Sequence, residues 1–412
     1  MAEIKIYENN LKLIVETMPS ILSVSAGILV GAGSCLETPD NNGISHFIEH
    51  TTFKGTENLN SLEVSEAFDD VGAQVNAFTS KEMTCYYVKS TKSALSRSFE
   101  VLSDMFLNSV YEKDELDREK GVVIEEINMS YDTPEDVCLD ALSKAYFGRN
   151  GLGQTILGPS ENIIKFNKKY IDDYRNRYYN SDNTVISFAG NITMLEADIL
   201  VKQYFLPFVS DRKSESVMCE SSENLCGRII KEKDIEQLHM AFGFSGLKYD
   251  DDKNTEMSML NVILGSGMSS RLFQTLREKL GLCYTVYSYP SGYRNTGSLA
   301  VYAGLNSENA NKAYEETLKL MKELKNGVTE QELSRAKAQI LASFEFGGES
   351  SASQMMLFGK YLLFTDKCFD FKNKIDSINK ITRQSLNDFI NTLNFNSFSL
   401  SVIGKNANKI KL

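Results

Sequence analysis

The chain lacks several features that would otherwise widen what it could be. It has no excess of basic residues: 44 Lys and Arg stand against 55 Asp and Glu, for a formal charge of -11. A nucleic-acid binder normally carries a basic patch, so no nucleic-acid partner is expected. The acidic balance reads first as a solvated surface and second as a cavity that favours basic substrates. The longest apolar stretches, such as Ala26 to Val30, fall far short of a membrane span, and no membrane partner is expected. The amino terminus, M-A-E-I-K-I-Y-E-N-N, has neither the basic-then-apolar pattern of a signal peptide nor the Arg-rich, acid-poor one of a transit peptide. No C-x-x-C pair occurs among the seven cysteines (Cys35, Cys85, Cys138, Cys219, Cys226, Cys283 and Cys368). Odd in number and scattered, they are expected to be reduced thiols in a cytoplasmic protein. Histidine is scarce as well, with three in 412 residues.

Two of those three lie together. The stretch Ile44 to Thr56 reads I-S-H-F-I-E-H-T-T-F-K-G-T and holds His46, Glu49 and His50. In a helix, residues four apart share a face about 6 Å apart along the axis. Two imidazoles so placed can bind one metal ion, and a carboxylate beside them can activate water. H-x-x-E-H is the inverted form of the zinc-protease helix H-E-x-x-H. The bland reading is a helix that happens to carry two surface histidines.

At this length two or more domains are expected. Ile4 to Tyr7, Leu11 to Glu16 and Ser23 to Val30 pattern as strands, and Ile44 to Lys54 as the metal helix. Ser61 to Val71 follows as a helix, capped by Asn60 or Ser61. Gln74 to Phe78 and Thr84 to Lys89 pattern as strands around a Thr79-Ser80 turn. Helices are expected over Lys92 to Leu107, Lys113 to Ser130, Glu135 to Phe147 and Asn162 to Tyr179. A strand at Thr184 to Ala189 and a helix at Leu195 to Tyr204 close a first half. Polar, aperiodic residues 210–224 fit an interdomain linker, giving halves 1–209 and 225–412. The order then recurs: a strand at Gln237 to Phe244, helices at Thr255 to Leu264 and Ser270 to Lys279. Strands follow at Tyr284 to Tyr289 and Ser298 to Gly304, then helices at Asn309 to Leu324 and Glu330 to Phe346. E-L-D-R-E-K at Glu115 to Lys120 matches E-L-S-R-A-K at Glu332 to Lys337, an offset of 217 residues. Carried to the metal helix, that offset lands on Ile263, Ser266 and Gly267, which are no ligands. The expected fold class is α+β: two homologous halves, each a mostly antiparallel sheet with helices layered on one face.

A catalytic zinc usually takes three protein ligands and keeps one open position. His239, in Q-L-H-M-A-F-G-F, faces away from Leu238, Met240 and Phe242 and reads better as a hydrogen-bonded strand residue. Glu119 and Glu126 sit seven apart, two turns along one helix face, with Glu125 turned by about 100°. The offset replaces them by Ala336 and Ser343, so both carboxylates vanish where the histidines vanish. Seven residues span about 10.5 Å of helix, too far for both to bind one ion directly. Glu126 is then the ligand, and Glu119 a group behind the ligands or facing the substrate, the bland alternative being a plain helix-surface charge.

These motifs resemble, along essentially the whole chain, the pitrilysin, insulysin and mitochondrial processing peptidase family of zinc metallopeptidases. The resemblance implies one Zn2+ per chain on His46, His50 and Glu126, which lies 76 residues beyond the second histidine. It implies Glu49 as general base and Glu119 as an additional acidic residue. N-A-F-T-S-K-E-M-T-C-Y-Y is similar to the family's substrate-pairing edge strand, which implies Asn76, Ala77 and Phe78 as substrate-facing. S-S-R-L-F-Q-T-L-R-E-K-L-G-L-C-Y resembles the motif that places Arg277 and Tyr284 against the substrate and the tetrahedral intermediate. The length is similar to that of the bacterial processing-peptidase-like branch, in which two chains close around a chamber. A homodimer, or a pair with a homologous chain, is therefore implied, with Arg277 and Tyr284 acting within the chain or across the pair. Thr51 and Thr52 depart from the apolar residues usual in the family.

The implied activity is zinc-dependent endopeptidase cleavage of extended or unfolded peptides. Two alternatives stand beside it. One is a non-catalytic partner subunit, whose usual mark is a broken H-x-x-E-H; the other is a structural zinc site, which would favour a closed Cys-rich set.

Overall fold

The computed structural model describes residues 2–149, 151–205, 208, 219 and 224–411; apart from residues 219 and 224, the expected linker 210–224 lies outside them. In chain order come strands β1 (Glu3–Ile6), β2 (Lys12–Thr17) and β3 (Ser23–Val30), then helices α1 (Ile44–Thr51) and α2 (Ser61–Asp69). Strands β4 (Gln74–Thr79) and β5 (Thr84–Thr91) precede helices α3 (Leu95–Asn108), α4 (Lys113–Asp132), α5 (Pro134–Phe147), α6 (Ser160–Ile163) and α7 (Lys168–Tyr178). Strand β6 (Thr184–Gly190) and helix α8 (Met194–Tyr204) follow. The later elements are β7 (Arg228–Glu232), β8 (Leu238–Ser245), α9 (Asn254–Leu264), β9 (Cys283–Gly292), β10 (Gly297–Leu305), α10 (Ala310–Glu323) and α11 (Glu330–Gly348). The chain ends with α12 (Ser351–Thr365), α13 (Phe371–Lys380), α14 (Arg383–Thr392) and β11 (Ser399–Gly404). Among the described residues no helix is long and apolar enough to cross a membrane.

Local chemistry explains most of these boundaries. Asn60 opens α2 by accepting from the N–H groups of Leu62 and Glu63, and Glu63 returns a bond to the Asn60 N–H. The helix expected over Asn162 to Tyr179 is two helices, because Asn167 stops the first run and caps α7 through Lys169 and Tyr170. The helix expected at Ser270 to Lys279 is π-helical over Phe273–Lys279. Strands β7 and β11 and helices α12 to α14 were not anticipated from the sequence.

Six strands form one sheet in the order β1-β2-β6-β3-β5-β4, and five form another in the order β7-β11-β8-β10-β9. In the first only β2 and β6 run parallel; in the second only β7 and β11 do. The second sheet thus repeats the first without its outermost strand. Strands β3 and β8 are both eight residues long and start 215 residues apart (23 against 238).

The described residues fall into two compact units: one within Met1–Ile127, Thr155–Val217 and Glu345–Asp370, the other within Asn128–Gln154, Met218–Phe344 and Phe371–Leu412. This differs from one cut near residues 210–224. The reason is packing: α12 lies on β3 and β6 of the first sheet, and α5 lies on β8 and β11 of the second. Each sheet therefore carries a helix on the face opposite its main helical layer, an addition to the expected one-face layering.

Strand β3 shows how one strand serves two faces. Val24, Ala26, Ile28 and Val30 enter the main core with Phe99, Leu102 and Phe188, the valine and isoleucine burials contributing roughly 1.5–3 kcal/mol each. The alternate residues are Ser25, Gly27 and Leu29, and they meet α12. Ser25 Oγ lies 2.9 Å from Ser351 Oγ, and a Cβ on Gly27 would sit 2.4 Å from Met355 Sδ. On the helix side, a Cβ on Gly359 would lie 2.8 Å from Leu29 Cδ1 and 2.9 Å from Ser187 Cβ. The second unit uses the same device: Leu238, Met240, Phe242 and Phe244 fill its main core, while Ala241 joins Cys138, Ala141 and Leu142 of α5.

Two outcomes follow from this packing. Gly359→Val overfills the α12 contact and is expected to destabilise the fold by about 1–3 kcal/mol, read as a lower denaturant midpoint; an unchanged midpoint would refute the close approach. In the second unit, Arg271 holds Glu332 through Nε–Oε1 at 2.7 Å and an Nη2–Oε2 bond at 2.9 Å. Burial raises the Glu332 carboxyl, but the hydrogen bonds from Arg271 and the Thr329 backbone outweigh it and hold the carboxyl down at about 2. A lowered folded-state pKa means the stabilisation is complete above the unfolded value of about 4.3 and is lost as pH falls through about 4 towards 2. Wild type should exceed Glu332→Gln in stability by about 1–2 kcal/mol at pH 7, with the difference shrinking below pH ~4. A pH-independent difference would exclude the pair as its source.

Candidate metal centre

Helix α1 is only eight residues long and is buried almost throughout. Its first turn starts at Gly43, whose φ of 101° is a left-handed conformation that favours glycine. There the buried Glu37 carboxylate accepts from the Gly43 N–H (2.7 Å), the Ser45 N–H (2.8 Å) and the Asn42 side chain (2.7 Å). A negative charge at a helix N-terminus satisfies the free N–H groups and opposes the helix dipole. Burial pushes the Glu37 carboxyl up, and these same donors pull it back. Ser45 Oγ pairs with Tyr174 of α7 at 2.8 Å. Thr51 and Thr52, where apolar residues were expected, are buried with their hydroxyls donating to the Phe47 and Ile48 carbonyls at 2.7 Å each.

So held, α1 presents His46 and His50 side by side, with ring centroids 4.5 Å apart. Glu126 reaches them from α4: its Oε2 lies 3.6 Å from His46 Nε2 and 3.3 Å from His50 Nε2. His46, His50 and Glu126 offer ligand atoms that all lie within 4.8 Å of one another, the one such group among the described residues. Bonds of about 2.0–2.1 Å to a tetrahedral zinc would place ligand atoms about 3.3 Å apart, so the donor set and its spacing fit that ion. Burial, and then the nearby His50, push His46 down to about 3, which keeps its lone pair free of a proton. Its buried Nδ1 has no hydrogen-bond partner.

His50 is placed differently. Its Nδ1–H donates to Glu119 Oε1 at 2.8 Å, and Glu119 Oε2 meets Lys54 Nζ at 2.8 Å. Burial pulls His50 down, but the Glu119 hydrogen bond and the charges of Glu126, Glu119 and Glu49 carry the net direction upward. Glu119 is buried, which raises its carboxyl, yet the bonds from His50 and Lys54 bring it below the ordinary range. Glu119 therefore stands behind His50 and is no surface charge.

Glu49 shares the helix but not the group of three. Its Oε2 accepts from Thr79 Oγ1 at 2.6 Å, and the Thr79 backbone N–H also donates to it. Burial leads its net upward shift. Thr79 ends β4, the edge of the six-stranded sheet. Asn76, Ala77 and Phe78 precede it on that edge, paired with Tyr87, Tyr86 and Cys85. Asn76 Oδ1 accepts from the Ala77 N–H at 2.8 Å. With the Thr79 N–H aimed at Glu49, alternate N–H groups of β4 point away from β5.

Arg277 and Tyr284 lie in the second unit and pack on one another, the guanidinium 4.9 Å from the Tyr284 ring and 4.6 Å from that of Phe273. Arg277 is on the π-helical stretch and Tyr284 is exposed on the edge strand β9. His239 is buried beside Tyr302, whose hydroxyl is 2.6 Å from its Nδ1. It is no member of the group of three. Sequence reasoning missed Glu37, Lys54 and the partnership of Thr79 with Glu49.

Known proteins resemble this chain along most of its length. Residues 12–160 match the family model "Insulinase (Peptidase family M16)", and residues 165–340 match "Peptidase M16 inactive domain". All three clustered residues fall in the first match. The chain is 38% identical over 405 residues to an uncharacterized zinc protease of Bacillus subtilis, covering 97% of this chain and 98% of that one. It is 33% identical over 410 residues to another from Streptomyces coelicolor, covering 96% and 87%. In fold it matches a protease from Helicobacter pylori (TM-score 0.91, 22% identity, 98% and 99% covered). It also matches a peptidase M16 inactive domain from Pseudomonas fluorescens (TM-score 0.91, 18% identity, 98% of each covered).

The seat of α1 can be tested directly. Glu37→Ala strands three donors at the helix start and should destabilise the chain by about 2–4 kcal/mol, with Glu37→Gln less severe. Equal thermal midpoints for wild type and Glu37→Ala would remove Glu37 from this role.

Proposed function

Since this chain belongs to the M16 family of insulinase-type peptidases, we propose that it is a zinc-dependent endopeptidase acting on extended or unfolded peptides. The observation that carries the reading is the convergence of His46, His50 and Glu126 with a separately held Glu49 at the end of an edge strand. His46, His50 and Glu126 would hold the ion. Zinc in such a set supplies a Lewis acid that activates water and polarises the scissile carbonyl.

The remaining chemistry belongs to the chain. Glu49 takes the proton of the attacking water and delivers it to the leaving amine. Its burial supports this role by raising its basicity, and Thr79 fixes its orientation. Glu119 fixes His50 by its hydrogen bond. An extended peptide pairs with the outer edge of β4 along Asn76, Ala77 and Phe78, taking the Ala77 N–H from the Asn76 side chain that holds it. Arg277 and Tyr284 are assigned to holding substrate and stabilising the oxyanion, on the likeness of their motif to the family's; their mutual packing supports a joint role. The working form is a pair of chains, two copies of this one or this one with a homologue, closing a chamber. The cytoplasm is the proposed location, supported by seven cysteines none of which is in a disulfide.

Zinc content and cleavage of an unfolded peptide, compared between wild type and Glu49→Gln, test the assignment. The variant should keep its metal and lose about 10²–10⁴-fold in kcat/KM, and chelation should abolish wild-type cleavage reversibly. Normal turnover by Glu49→Gln would sink it.

A further inference from the structure

Lys54 touches this centre through an intermediary, and the proposed chemistry has no use for its charge. It follows α1, and its ammonium meets Glu119 Oε2 at 2.8 Å while Glu119 Oε1 holds His50 Nδ1 at 2.8 Å. Glu119 is 4% exposed. A carboxylate so enclosed has two oxygens to satisfy, and one bond alone leaves it free to turn about its last torsion, carrying the imidazole with it. A charged partner on the second oxygen fixes the carboxylate plane and, through it, the ring of His50. His46 has no matching brace, since its Nδ1 is unpartnered.

We propose that Lys54 is a positioning residue for the metal, acting through Glu119 to fix the direction in which His50 Nε2 points. The inference rests on the metal-binding reading above. The competing role is a plain clamp, and the second unit supplies its example. There Arg271 grips Glu332 at the start of α11, and the other bonds of that carboxylate go to Thr329, not to an imidazole. The Lys54 bridge differs in its far end: the same carboxylate that takes the lysine takes a ring whose other nitrogen faces Glu126.

The test is zinc affinity of the full chain, measured by competition with a chromophoric chelator, beside the unfolding midpoint of the metal-free chain. Lys54→Met should weaken zinc binding by about 10–100-fold, the range typical of groups behind metal ligands. Lys54→Arg should regain most of that loss. Combining Lys54→Met with Glu119→Gln should weaken binding no further than Glu119→Gln alone, because both act through one bond. The visible spectrum of the cobalt-loaded Lys54→Met chain should differ from that of wild type. A lowered midpoint with unchanged zinc affinity would make Lys54 a clamp only and overturn the proposal. So would multiplied losses in the double variant. A wild-type chain that bound no zinc would overturn the metal reading itself, an outcome distinct from a wild type that binds and a Lys54→Met variant that binds equally well.

Discussion

An eight-residue helix has too few internal hydrogen bonds to persist alone in water, yet here such a helix carries two imidazoles whose relative position defines the centre. Everything at the site depends on how that helix is held. Its start is fixed by the Glu37 carboxylate, its flank by Tyr174, and its end by the Thr51 and Thr52 hydroxyls turned back onto the Phe47 and Ile48 carbonyls. The imidazoles inherit their placement from this frame. Glu126 and Glu119 complete it from a second helix, one meeting the imidazoles from the front and the other gripping His50 from behind.

The short-range part of this arrangement was legible in the sequence. His46, Glu49 and His50 lie within one turn and a half, so helical geometry alone placed them together. Glu119 and Glu126 share a face by their spacing, and their replacement by Ala336 and Ser343 pointed to a common site. What stayed hidden links residues that neither spacing nor period relates. Glu37 reaches Gly43 across a turn-rich loop, Thr79 meets Glu49 from a strand 30 residues on, and Lys54 meets Glu119 across two helices and a hairpin. Helix α12 escaped for another reason. Its buried face contains Ser351, Gln354 and Gly359 beside Met355, Phe358, Leu362 and Leu363, so the apolar stripe that marks a packed helix is diluted by the small residues that let it approach β3. The break at Asn167 shows the reverse: a capping residue inside a helical run outweighed the run's continuity.

The two units show what a repeated scaffold keeps and what it sheds. The sheet order, the parallel pair and the helix on the opposite face recur. The charged residues of the centre do not. That pattern fits a division in which stability resides in backbone pairing and apolar packing, shared by both copies. Imidazoles and buried carboxylates are expensive to desolvate, and they persist only where their partners persist with them. Where the ligands are gone, the offset of 217 residues lands on buried Ile263 near the end of α9 and on exposed Ser266 and Gly267 just beyond it.

The helix on the outer face of the first sheet has a consequence for synthesis. Ser25, Gly27 and Leu29 emerge from the ribosome long before the segment that covers them, Ser351–Thr365. The β3 face opposite the main core therefore stays bare while some 320 further residues are made, about 16–64 s at 5–20 residues per second. That face is lined mainly by serine and glycine, with Leu29 the one large apolar group of the three. A strand face of small and polar residues offers little for a neighbouring nascent chain to bind during that wait.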